Sequence, residues 1–71
     1  MRATICVDLS DEDEVAAVEV WFKRWRVELA FVSENQGCGC CVDMWDVEGP
    51  DDAVSEIPAS VRAASDWAGI P

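Results

Sequence analysis

The stretch RATICVDLSDEDEV, residues 2–15, contains the change of period on which the fold turns. Its first part alternates, with Ala3, Ile5, Val7 and Leu9 on one side and Arg2, Thr4, Cys6 and Asp8 on the other, as a half-buried strand requires. Ser10 then precedes Asp11, Glu12, Asp13 and Glu14. Ser10 with Asp13 three residues on resembles a capping box, and the four acids sit where a helix N-terminus favours negative charge. The spacing therefore predicts a strand followed directly by a helix.

Further along, Val15, Val18, Phe22 and Trp25 recur at spacings of three and four, Trp21 broadens the stripe, and Lys23, Arg24 and Arg26 gather where the C-terminal dipole favours cations. WRVELAF, residues 25–31, alternates again, so a second strand is expected to take over near Trp25. SENQG, residues 33–37, is a cluster of turn formers. CCVDMWDVEG, residues 40–49, reads as a third strand with Cys40, Val42 and Met44 on one face and Cys41, Trp45 and Val47 on the other, completing a hairpin. GPDDAVSEIP, residues 49–58, has Pro50 and acids at its start and Pro58 at its end, as a helix of about two turns would. The tail, residues 59–71, admits a final helix capped by Ser60 and ending at Gly69, or an irregular edge strand over VRAASDW; the strand is preferred. The order β-α-β-β-α-β then corresponds to a ferredoxin-like α+β domain, an antiparallel sheet with both helices on one face. No repeat or linker divides residues 1–71, and one compact domain is expected.

A chain of 71 residues buries a smaller share of its surface than a larger domain does, and Trp21, Trp25, Trp45, Trp67, Phe22 and Phe31 supply large apolar area per residue to compensate. Fifteen acidic against five basic residues, with no histidine, give a formal charge of −10. That charge opposes approach to nucleic acid and to anionic membranes, and it suits either solubility or a basic protein partner. No secretory signal pattern and no membrane-length apolar run is read from the chain, so a cytoplasmic setting with reduced thiols is the expectation.

Three of the four cysteines fall in NQGCGCC, residues 35–41, the fourth being Cys6. Cys6, Cys38, Cys40 and Cys41 could together supply a thiolate metal site, but zinc sites usually draw C-x2-C pairs from separate knuckles. Here Cys40 and Cys41 are adjacent and point to opposite faces if the strand has begun, leaving Cys38 and one of them easily brought together. A C-x-C pair could hold Cu(I) or run thiol exchange, yet the flanking charges are Glu34 and Asp43, which do not lower a thiol pKa. The spacing therefore favours Gly37 and Gly39 as positive-φ positions of a bulged turn, with the cysteines as small apolar fillers and no cofactor.

Asp43, Asp46, Glu48, Asp51 and Asp52 crowd one segment without the spacing of a calcium loop, and the absence of histidine excludes Ser-His-Asp and Cys-His catalysis. No enzyme is expected. The same carboxylates, with Trp45 or Trp67 as an apolar centre, could instead meet a basic protein. SENQGCGCCVDMWDVEG followed by IP and SDW, residues 33–67, resembles small bacterial immunity proteins of polymorphic or contact-dependent toxin systems. The resemblance implies a cytoplasmic inhibitor masking a basic, nuclease-like toxin. The leading expectation is thus a non-enzymatic acidic binding module, and the alternatives are a thiol-metal or redox protein using the cysteine cluster and a small structural domain.

Overall fold

A computed structural model describes residues 1–69. Strand β1 (Arg2–Asp8) leads into helix α1 (Glu12–Trp25), a 3-10 turn (Arg26–Glu28), β2 (Phe31–Val32), β3 (Val42–Glu48), α2 (Asp51–Ser55), a second 3-10 turn (Ala59–Val61), β4 (Arg62–Ala63) and α3 (Asp66–Gly69). The strands form one sheet in the order β2-β3-β1-β4, with every neighbouring pair antiparallel. The expected class, a small α+β domain on an antiparallel sheet, is the one observed.

The sheet depends on its central pair. β1 and β3 match residue for residue from Arg2↔Glu48 to Asp8↔Val42, whereas β2 and β4 contribute two residues each. Alternation sends Ala3, Ile5 and Val7 to one face, where they are buried with Val47 against Val18, Trp21 and Trp25 of α1, Ala53 and Val54 of α2, Ile57, and Val61. The indole N–H of Trp21 donates to the buried Ala53 carbonyl at 2.8 Å, joining α1 to α2 through a group that burial would otherwise leave unsatisfied. Trp25 does the same for the next turn, its indole donating to Glu56, which also pairs with Arg24.

The opposite face is more polar. Thr4 is buried there, its hydroxyl donating to Asp46 Oδ1 at 2.8 Å and lying against Ser65 Oγ, while Gln36 Nε2 donates to Asp46 Oδ2. Trp67 of α3 covers the end of this face, with the Arg2 guanidinium 4.1 Å from its ring, Phe31 beside it, and its indole N–H on the Val47 carbonyl.

Several local expectations change. The helix is capped by Asp11, whose carboxylate accepts from the amides of Asp13 and Glu14; Ser10 is engaged with Asp8 through both its amide and its hydroxyl. The strand expected from Trp25 shrinks to Phe31–Val32, because Trp25 completes α1 and the 3-10 turn carries the chain on to Leu29. The alternation misled because residues four apart share a side in both periods, so Trp21, Trp25 and Leu29 read equally as helix stripe and strand face. The short helix after Gly49 spans Asp51–Ser55, a little over one turn. In the tail, strand and helix both form: Arg62 and Ala63 pair with β1, and Ser65, not Ser60, closes α3 through its hydroxyl and carbonyl on Ala68 and Gly69. Residues 70–71 of the tail reading lie outside the described residues.

Trp21→Phe keeps a ring in the core but strands the Ala53 carbonyl. It should lower stability by about 1–3 kcal/mol, seen as a reduced urea midpoint at unchanged slope.

Candidate metal centre

The loop joining β2 to β3, residues 33–41, is held along its length by β3. Ser33 and Gln36 donate their amides to the Asp46 and Met44 carbonyls, continuing the ladder beyond β2. Asn35 then fastens the turn: its side-chain oxygen accepts from the Gly37 and Met44 amides, and its nitrogen donates to Asp43. At the far end the Leu9 amide donates to the Cys41 carbonyl at 2.9 Å, so the loop is tied to the end of β1 as well.

The two glycines serve different needs. Gly39 has φ 76°, the left-handed region, as expected. Gly37 does not; a Cβ there would run into the backbone of Val42, so its requirement is close approach and not φ.

Within this turn the Sγ atoms of Cys38, Cys40 and Cys41 all lie within 4.8 Å of one another, Cys38 to Cys40 at 3.4 Å and Cys40 to Cys41 at 3.7 Å. All three are free and exposed, which corrects the reading of them as buried fillers. The opposed orientation expected of Cys40 and Cys41 fails for a specific reason. β3 begins at Val42, so neither residue obeys strand alternation, and the left-handed Gly39 turns the chain back over Cys38.

That reversal also sets the electrostatics. The Cys41 N–H donates to Cys38 Sγ at 3.2 Å and the Cys40 thiol donates as well, with the neighbouring Cys40 and Val42 amides adding to the effect on that sulfur. Successive amides turned inward make an anion-binding nest, and here they hold the Cys38 thiol down to about 6. No neighbouring cation is needed, which is why the flanking acids were a misleading guide. The Cys41 thiol is pushed up, first by its hydrogen bond with Cys40, then by the charge on Cys38, with a smaller push from Asp8.

Cys6 does not join the group. It lies in β1 opposite Met44, on the polar face of the sheet, half-buried. The acidic segment is likewise divided. Asp43 and Trp45 follow Val7 and Ile5 on the helix-covered face, Trp45 packing edge-on against Phe22, while Asp46 and Glu48 follow Thr4 and Arg2 on the opposite face. Asp51 and Asp52 are exposed in the first turn of α2, and Trp67 sits over the polar face. The seven do not make one continuous patch. A groove of about 650 Å³, lined by Phe22, Trp45, Leu9, Val15, Lys23 and Arg26 among others, opens beside α1 and has no counterpart in the sequence reading.

Sequence reasoning missed Asn35 as the cross-link and the backbone amides as the source of thiolate stabilisation. Asn two residues before Gly37 is an Asx-turn spacing that could have signalled the first. Comparison with protein-family models, with characterised proteins and with solved structures finds no match, so the reading of this loop rests on its own geometry.

A lowered thiol pKa means thiolate, the nucleophilic form, at neutral pH. Alkylation of Cys38 by iodoacetamide should show a midpoint near pH 6, well below that of Cys41, when followed by peptide mass spectrometry. Gly39→Val strains the left-handed position by about 1–3 kcal/mol and swings the amides away. In that variant the midpoint should move up toward the ordinary thiol value.

Proposed function

We propose that this chain is a small metal-binding protein that takes one thiophilic ion on Cys38, Cys40 and Cys41. The observation that carries the reading is the convergence of three exposed thiols on one point. Zinc–sulfur bonds of about 2.3 Å place ligand sulfurs about 3.8 Å apart in a tetrahedron, and two of the three separations, 3.4 and 3.7 Å, are already close to that, with the third within 4.8 Å. Loading therefore asks little movement of the loop. Exposure leaves the ion free to enter and leave, and a chain of charge −10 attracts cations.

A dithiol exchange site would also use a low-pKa Cys38, but it has no need of a third sulfur held at the same point. Attraction to a basic protein, including the immunity role implied by the resemblance, is supported by the net charge. It has less support from geometry, because the carboxylates of residues 43–52 fall on two faces and Asp43 and Asp46 are engaged in internal hydrogen bonds. Within this reading the acids act as the field around the thiol loop.

Anaerobic titration of the reduced chain with Cu(I), Zn(II) and Cd(II), followed by sulfur-to-metal absorption, should find one equivalent bound for at least one of these ions. Cys38→Ser, Cys40→Ser and Cys41→Ser should each weaken it by more than about 100-fold, since loss even of an outer-shell partner costs 10–100-fold. Cys6→Ser should bind as the parent does. Failure of all three ions to bind, or equal dependence on Cys6, would sink the reading.

A further inference from the structure

The donor set at the loop is narrower than the general reading requires. All three ligands are thiolate sulfur, and among the described residues no carboxylate oxygen joins them within the same 4.8 Å. Histidine is absent from the chain, and Cys6 is held on the polar face of the sheet by its pairing with Met44. Among the described residues no fourth protein ligand joins the three sulfurs, and Cys6, opposite Met44 in β1, lies outside the group.

Coordination number then separates the thiophilic ions. Structural zinc is bound by four protein ligands, zinc on three protein ligands completes its shell with water, and iron–sulfur clusters are held by four cysteines or their histidine substitutes. Monovalent copper is among the soft ions that thiolates select, and its single charge and low coordination number let three sulfurs satisfy it without a fourth donor. Resting on the metal-binding reading above, we infer that the ion is Cu(I), held three-coordinate by Cys38, Cys40 and Cys41 of a single chain.

Charge works against this choice and must be answered. Three thiolates leave a net −2 around Cu(I) but −1 around a divalent ion, and Asp8 acts on Cys41 from nearby. The loop offsets that charge: the Cys41 N–H, 3.2 Å from Cys38 Sγ, stabilises excess negative charge on sulfur, and the exposed position leaves the remainder to water. Each ligating sulfur that still carries a proton yields it to solvent, and copper enters and remains as Cu(I), so no electron changes hands.

The test supplies Cu(I) to the reduced full chain under anaerobic conditions in competition with a chromophoric Cu(I) chelator. Zn(II) is supplied in a parallel titration, and sulfur neighbours are counted by X-ray absorption at the metal edge. The expected result is one Cu(I) per monomeric chain with three sulfur neighbours, and release of any bound Zn(II) when Cu(I) is added. Two sulfur neighbours at copper would overturn the inference. So would Zn(II) held by four sulfurs between two chains and resistant to Cu(I). Both of those outcomes leave the broader metal-binding reading standing, whereas failure of Cu(I) and Zn(II) here, together with Cd(II) in the titration above, ends both. The sulfur count is made on the unaltered chain, so it does not depend on any variant folding.

Discussion

The register of β1 against β3 is the constraint from which the rest of the structure follows. Seven matched pairs fix which side chains of both strands face α1 and α2 and which face Thr4, Asp46 and α3. A slip of one residue would exchange these sets, burying Asp46 and exposing Val47. The same register ends at Asp8↔Val42, and one step further the Leu9 amide holds the Cys41 carbonyl. The thiol loop is therefore anchored to the central ladder at its end, by a hydrogen bond one step beyond the last matched pair.

The remaining elements are short, and tryptophan makes them sufficient. α2 has five residues, β2 and β4 two each, and α3 four, too few to be stable alone. Three indoles tie them down by placing a large apolar ring in or against the core while their N–H groups reach Ala53, Glu56 and Val47. Each such residue contributes buried area and satisfies a polar group at once, which is how a chain of this size builds a core without disulfides or a large aliphatic interior.

The loop shows how backbone geometry can do work usually assigned to charged side chains. Asp8 helps push the Cys41 thiol up, yet the Cys38 thiol is held down to about 6. Amide dipoles at hydrogen-bond range outweigh carboxylates that are further away and screened by water. One left-handed glycine and one glycine packed against Val42 make that possible, and neither contributes a side chain.

The sequence alone determined the class of fold, the central strands, the first helix with its acidic start and basic end, and the split of Val42 and Met44 from Trp45 and Val47. These follow from periods and end effects that are local, so they survive without knowledge of neighbours. Where two periods coincide, as at Trp21, Trp25 and Leu29, local pattern could not choose, and packing in the core ended β2's claim to Trp25. The cap passed from Ser10 to Asp11 because Asp8, brought close by the turn, took Ser10 first. The thiol cluster was the least legible feature, since spacing rules assume regular strand geometry and Cys40 and Cys41 lie outside it. Only the tertiary structure decided that three sulfurs meet while Cys6 stays apart, because the meeting depends on the φ of one glycine and the separation on the register of a strand far away in sequence.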